Sequence, residues 1–173
     1  MNLKMKKYQI TYNDAVKISN AYKNFNFYPT EWTIDGYKVV AFNYFLCDYK
    51  YFVQPLADSP EINARDMRGV TFVFNTDGTL YKRFLMLEKF FNVNQVLETQ
   101  MNLLKAKKIK YITVKEDGSL IAFMNLPNGT VFAKTQGGCT NEQSAAANDM
   151  YLKDVKLKEF VDDSLESGFT PLF

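Results

Sequence analysis

The residues best suited to covalent chemistry are Lys115-Glu116-Asp117-Gly118-Ser119, which lie between two runs of aromatic and β-branched residues. Asp-Gly is a strong hairpin signal, because both residues tolerate positive φ. A lysine two positions earlier would therefore stand on a rigid turn. A neutral lysine amine can attack the α-phosphate of a nucleoside triphosphate, forming a phosphoramidate and releasing pyrophosphate. The pKa of Lys115 must then fall well below about 10.4.

Three other cations would support this chemistry if the fold gathers them. Arg68, Lys89 and Lys134 could disfavour the Lys115 ammonium and also bind a triphosphate, the arginine by a planar fork and the lysines as point charges. Gly118 would let a nucleotide approach the backbone. A lysine near an Asp-Gly turn is common, however, and this chain has two more such turns, so the pentapeptide alone is a weak signal.

The composition excludes several kinds of site. The 173 residues contain no histidine, which removes Ser-His hydrolases and His-ligated metal sites. Any metal would be a hard cation held by oxygens and phosphates. Cys47 and Cys139 are too few for a disulfide framework, which favours a reducing, cytoplasmic setting. No apolar run approaches the roughly 18 residues of a membrane span, so we expect no membrane partner.

Length and charge favour one globular unit with a basic body. Hydrophobic residues make up 47% of the chain, which is enough for a core and argues against disorder. Residues 1–140 carry 18 Lys and Arg against 12 Asp and Glu, whereas residues 141–173 carry 3 against 7. A mildly basic body suits a nucleotide or an RNA backbone. Most of the lysines between Lys105 and Lys110 are interpreted as a solvated face.

The pattern of turns predicts an α+β fold, with antiparallel sheets flanked by helices. Hairpins are expected at Asp35-Gly36, Asp77-Gly78, Asp117-Gly118 and Asn128-Gly129, so most of residues 30–135 is predicted to be sheet. A capped helix is expected from Tyr12 to about Asn24, and helices return after Asn141 and end at Gly168. A new strand is expected to begin at Phe169.

Several short motifs surround the pentapeptide in a fixed order. They are Phe42-Asn43-Tyr44, Arg68-Gly69-Val70-Thr71-Phe72, Glu88-Lys89-Phe90-Phe91-Asn92, Lys115 to Leu120, Asn141-Glu142-Gln143 and Gly168-Phe169-Thr170. With them the chain resembles the tRNA-repair RNA ligases of T-even bacteriophages, the RNA ligase 1 type. The resemblance covers nearly the whole chain, through spaced motifs rather than continuous identity in the first half.

The resemblance implies a role for each matching residue. Lys115 would be the adenylated residue, and Tyr44 would lie at the nucleotide. Arg68 would bind the triphosphate and Lys89 would contact phosphate. Phe91 would be needed for activity. The predicted nucleotide-binding set also includes Asp117, Gly118 and Lys134.

The resemblance also implies a reaction and a fold. The enzyme would adenylate itself with ATP, pass AMP to an RNA 5′-phosphate and then seal it to a 3′-OH, with Mg²⁺ neutralising the phosphates. The RNA would be broken tRNA, repaired in the cytoplasm, that of a host cell if a phage encodes the chain. The fold would be that of the covalent nucleotidyltransferases, which include DNA and RNA ligases and capping enzymes.

The chain departs from the family at two places. Where the family has Lys-Ser-Lys-Gly-Ser, this chain has Lys134-Thr135-Gln136-Gly137-Gly138, and the family depends on the lysine that Gln136 replaces. Phe173 falls on the first residue of the family's Phe-Glu-Phe strand. The ribose-contacting glutamate, the Glu-Gly and Lys-x-Lys motifs and the C-terminal tRNA-specificity domain all follow that strand. We therefore expect residues 1–173 to be the N-terminal portion of an adenylation domain.

Three interpretations remain open. The first is an RNA ligase, present as a truncated copy or as the first product of a split gene that a second chain completes. The second is a non-catalytic remnant that binds nucleotide or RNA, which Gln136 and the missing motifs favour. The third is a DNA ligase or capping enzyme, which uses the same lysine chemistry. The Glu-Lys-Phe-Phe-Asn and Gly-Phe-Thr matches argue against the third.

Overall fold

The computed structural model describes residues 9–53, 64–114 and 117–173. They form two antiparallel sheets with helices packed outside them, so the predicted α+β class is confirmed. The first sheet has the order β1-β2-β3-β4, with β1 (Phe27–Ile34), β2 (Tyr37–Tyr44), β3 (Val70–Phe74) and β4 (Leu80–Phe84). The second sheet pairs β5 (Ala122–Asn125) with β6 (Val131–Lys134). The helices are α1 (Tyr12–Ala21), α2 (Lys50–Val53), α3 (Met101–Lys105), α4 (Glu142–Lys153) and α5 (Val155–Glu166).

The four-stranded sheet is the middle layer of the molecule. Successive side chains of a strand point to opposite faces. Val40 and Phe42 of β2 pack with residues of α1 and α2, whereas Val39 packs with residues of β5, β6, α4 and α5. Side chains on the Val39 face of β2 and β3 are therefore enclosed between the two sheets.

Three of the four predicted hairpins are confirmed. Asp35 and Gly36 join β1 to β2 with φ of +49° and +81°, as the two central residues of a type I′ turn require. The Asp77-Gly78 turn joins β3 to β4, and the Asn128-Gly129 turn joins β5 to β6. In these two turns the glycine alone takes a positive φ.

The hairpin expected at Asp117-Gly118 is not formed among the described residues. Residues 111–114 adopt no strand, and β5 begins at Ala122. The outer edge of β5, which this hairpin needs, is instead occupied by the last residues of the chain. Ile121 N–H donates to the Phe173 carbonyl at 2.8 Å, and Phe173 N–H donates to the Ile121 carbonyl at 2.9 Å. Lys115 and Glu116 lie outside the described residues.

The predicted helices form where capping residues allow them. Thr11 caps α1, and its hydroxyl and backbone N–H exchange hydrogen bonds with Asp14 in a capping box. The helix ends at Ala21, earlier than expected. Asn141 caps α4 through the Ser144 N–H, and Gly168 follows α5 with a φ of +82°, as predicted. Within the described ranges, no helix has the length and apolar character needed to cross a membrane.

Candidate functional site

Two of the predicted residues meet where β2 ends and β3 begins. Tyr44 is the last residue of β2, and Arg68-Gly69 directly precede β3. Gly69 N–H donates to the Phe42 carbonyl at 3.0 Å, which holds the two segments together. Burial raises the pKa of the Tyr44 hydroxyl, and the nearby Arg68 guanidinium opposes that rise.

The irregular chain after β4 brings Lys89 to the same place. Its backbone N–H donates to the Arg65 carbonyl at 2.8 Å. Burial lowers the pKa of the Lys89 ammonium, and the positive charge of Arg68 lowers it further. The structure therefore brings Arg68 and Lys89 into one positively charged region, with Tyr44 beside Arg68.

Aromatic rings surround these cations. Lys89 Nζ lies 5.7 Å from the ring centroid of Phe52 and 5.4 Å from that of Phe91. Arg68 Cζ lies 4.9 Å from the centroid of Phe90. The Tyr44 and Phe52 ring centroids are 4.6 Å apart. We call this group the cation–aromatic cluster; its members are Tyr44, Phe52, Arg65, Arg68, Lys89, Phe90 and Phe91.

The two arginines of the cluster differ in how they are paired. The Arg65 guanidinium lies 5.2 Å over the Phe91 ring and binds both oxygens of Glu98 at 2.9 and 3.1 Å. Arg68 Nη1, in contrast, is buried and has no hydrogen-bond partner among the described residues. A buried donor without a partner costs about 1–3 kcal/mol, and a bound anion would remove that cost. The cluster is therefore suited to a polyphosphate.

Lys134 lies close to Gly69 but is held by its own loop. Its side chain is 0% exposed. Its Nζ donates to the Thr135 carbonyl at 2.8 Å and the Gln136 carbonyl at 2.9 Å, and lies 3.9 Å from Met86 Sδ. Burial lowers the pKa of Lys134 to about 8. Lys134 thus organises the turn after β6, and its contact with a nucleotide stays a prediction.

Asp117, Gly118 and Gln136 complete the positions that the sequence motifs singled out. Asp117 and Gly118 are exposed and directly follow the undescribed pair that contains Lys115. Gln136, where the resemblance implies a lysine, is half-buried, and its carbonyl helps to hold Lys134. The roles of Lys115, Asp117 and Gly118 stay predictions.

Sequence analysis missed three residues of this region. Phe52 and Arg65 carry no motif and join the cluster only because α2 and the 3₁₀ turn Ala64–Met67 fold against the end of β2. Asn43 did carry a signal. It is a polar residue that directly follows the apolar run 39–42 in a strand, and it is 1% exposed. A buried amide in that position calls for a partner.

Comparison with known proteins identifies the family. A family model described as RNA ligase matches residues 63–173, a range that includes Arg68, Lys89, Lys115 and Lys134. This chain belongs to the RNA ligase family. Tyr44 lies outside the matched range. The predicted family is thus confirmed at the level of RNA ligases, and the affiliation with T-even bacteriophages stays a prediction.

A curated relative agrees with this assignment. A protein of Thermovibrio ammonificans (strain DSM 15698 / JCM 12110 / HB-1) named "Putative RNA ligase" is 29% identical over 125 residues, which cover 72% of this chain and 31% of the relative. The matched part thus amounts to about a third of the length of that relative.

Proposed function

We propose that this chain carries the nucleotide-binding part of an ATP-dependent RNA ligase with the covalent nucleotidyltransferase fold. The observation that carries the proposal is the convergence of Arg68 and Lys89 at the end of β2, where Arg68 Nη1 is buried with no partner in the described part of the chain. Two cations beside aromatic rings suit a triphosphate attached to a planar base. Membership of the RNA ligase family supports the choice of nucleic acid as the second substrate.

In the proposed first step, the neutral amine of Lys115 attacks the α-phosphorus of ATP. An N–P bond forms, the P–O bond to pyrophosphate breaks, and AMP stays on the lysine. Arg68 and Lys89 hold the β- and γ-phosphates and neutralise the charge of the leaving pyrophosphate. The same two cations would lower the pKa of a third ammonium nearby, which favours the reactive form of Lys115.

The later steps use RNA. The 5′-phosphate of an RNA end attacks the phosphorus of the bound AMP, and Lys115 leaves as the amine. The 3′-OH of the other end then attacks the RNA 5′-phosphorus, joins the two ends and releases AMP. We propose broken tRNA in the cytoplasm as the RNA, and repair as the purpose.

Mg²⁺ belongs to the proposal as the counter-ion of the triphosphate. Across residues 9–53, 64–114 and 117–173, no three His, Cys, Asp or Glu side chains gather into a metal site. Mg²⁺ usually keeps several waters and binds through substrate phosphates and one or two carboxylates. We therefore expect an ion that arrives with ATP and is held chiefly by phosphate oxygens.

A second candidate function is a non-catalytic remnant that binds nucleotide or RNA. It is favoured by Gln136, which stands where the family has a lysine. Such a remnant would bind ATP through Arg68 and Lys89 but would form no bond to it. Covalent labelling therefore separates the two candidates.

The test is to incubate the chain with Mg²⁺ and ATP labelled at the α-phosphate, denature it, and look for bound label. A ligase retains label and loses it to 5′-phosphorylated RNA, which becomes adenylated. ATP labelled at the γ-phosphate should leave no label, because pyrophosphate departs. ATP binding without covalent label would favour the remnant, and labelling by GTP instead of ATP would indicate a capping enzyme.

A further inference from the structure

Buried side-chain atoms without hydrogen-bond partners concentrate at one place in the described chain. Four such atoms are found: Asn43 Nδ2, Asn43 Oδ1, Arg68 Nη1 and Arg83 Nε. Three of the four belong to Asn43 and Arg68, which lie at the adjacent ends of β2 and β3. Folded proteins pair nearly all of their buried polar atoms, so this concentration points to a bound partner at the junction.

The Asn43 side chain faces the space between the two sheets. By strand alternation it shares a face with Val39, which packs against residues of β5 and β6. Tyr44 points the other way, against Phe52. Gly69 lies across the end of the ladder, and a β-carbon added there would lie 3.4 Å from Lys134 Nζ. The Asn43 amide is therefore enclosed beside the glycine that follows Arg68.

We propose that Asn43 binds the nucleoside part of the ATP that this site takes, an inference that rests on the proposed function. A side-chain amide offers donors on one atom and an acceptor on the other. A phosphate offers only acceptors, so it would leave Oδ1 unpaired. A purine edge offers both kinds of group side by side, as when asparagine pairs with adenine, and a ribose hydroxyl also offers both. Arg68 lies with Tyr44 on the other side of the sheet, so the nucleotide would pass the ends of β2 and β3, with its base or ribose on Asn43 and its phosphates on Arg68.

The experiment compares nucleotide binding by the unaltered chain and Asn43→Leu, a variant of similar branched shape without the amide. The probes are ATP, 2′-deoxy-ATP, purine riboside triphosphate, which lacks the 6-amino group, and inorganic tripolyphosphate. Asn43→Leu should bind ATP at least tenfold more weakly and tripolyphosphate within twofold of the unaltered chain. If Asn43→Leu binds ATP and purine riboside triphosphate with equal affinity, the lost contact is to the base. If it binds ATP and 2′-deoxy-ATP with equal affinity, the lost contact is to the ribose. Either result supports the proposal.

The matched control is Thr71→Val, which removes a buried hydroxyl that shares the sheet face with Asn43 and already donates to the Gly69 carbonyl at 2.9 Å. It should leave ATP affinity within twofold. Without nucleotide, the thermal midpoint of Asn43→Leu should equal or exceed that of the unaltered chain, because an unpaired amide has been removed. A lower midpoint would show a structural role and overturn the proposal.

Two binding results would also overturn the proposal. One is an ATP affinity of Asn43→Leu equal to that of the unaltered chain, in which case the proposed function still stands. The other is an equal loss of ATP and tripolyphosphate binding, which would show that the amide does not read the nucleoside. An unaltered chain that binds no nucleotide would overturn the proposed function and this inference together.

Discussion

At the scale of single residues, Arg68 and Lys89 are close enough for one cation to lower the pKa of the other. We predict that alanine at either position weakens ATP binding by tenfold or more, since a hydrogen bond to a charged group contributes about 1.5–3 kcal/mol. AMP binding should fall less, because AMP lacks the β- and γ-phosphates. Competition binding with ATP and AMP measures both effects.

Lys82→Ala is the control for this comparison. Lys82 is also half-buried with a pKa lowered by burial, but its Nζ donates to the carbonyl of Leu165 in the last turn of α5 at 3.0 Å. It should leave both affinities nearly unchanged. If Arg68→Ala and Lys89→Ala reduce ATP and AMP binding equally, these residues act through folding and not through the phosphates.

Lys134 should make stability depend on pH. Burial lowers its pKa from the ordinary 10.5 to about 8 in the folded chain. Between these values the unfolded chain binds the proton and the folded chain does not, so stability rises with pH across that window. The full gain is on the order of 3 kcal/mol. Neutral Lys134 keeps two N–H donors, so both carbonyl bonds survive.

Urea unfolding of the unaltered chain and of Lys134→Met, from pH 7.5 to about 10.5, measures this effect. The difference in unfolding free energy should move in favour of the unaltered chain as pH rises above about 8. A difference that stays constant across the window would show that Lys134 does not change its protonation there, and that its two carbonyl partners hold the ammonium.

At the scale of elements, the entry to β3 depends on Gly69. Its φ is +94°, and a β-carbon there would lie 2.6 Å from Met86 Sδ. Gly69→Ala should therefore destabilise the chain by strain, about 1–2 kcal/mol, and by roughly a further 1–3 kcal/mol from overpacking. Gly78→Ala has a similar φ of +84° with no atom within 4 Å, so it should show the strain alone.

Thermal or urea unfolding of the two variants separates these terms. Gly69→Ala should lower the free energy of unfolding less when Met86 is already alanine than in the unaltered chain, because the sulfur is then gone. Equal destabilisation by Gly69→Ala and Gly78→Ala would mean that Met86 moves aside freely and that overpacking at Gly69 costs no stability.

The elements that sequence predicted well are those with local causes. Asp35-Gly36 forms its turn because both residues take positive φ, and Thr11 caps α1 through a neighbour three residues away. The Asp117-Gly118 turn has the same local signal but no hairpin in the described chain. Its strand edge pairs with Phe173, some 50 residues later, and local patterns cannot report a competitor that distant.

At the scale of the whole molecule, the motifs named residues that the fold brings together, but they did not indicate the partners of those residues. Arg68 and Lys89 were predicted from motifs, and the fold brings them together. Phe52 and Arg65 could not be predicted, because their positions depend on how α2 and a 3₁₀ turn pack against β2. The burial of Lys134 likewise involves Met86, 48 residues earlier in the chain. Sequence reports the type of residue, and tertiary packing decides its partners.

The central claim is that this chain bonds AMP through Lys115, and intact-mass measurement after incubation with ATP and Mg²⁺ tests it most directly. The unaltered chain should gain the mass of one AMP, mapped to Lys115 by peptide analysis. Lys110→Ala, an exposed lysine five positions earlier, should gain it too. Lys115→Ala should gain none, nor should Lys115→Arg, because a guanidinium stays protonated. An adduct that persists in Lys115→Ala, or no adduct on the unaltered chain, would contradict the claim.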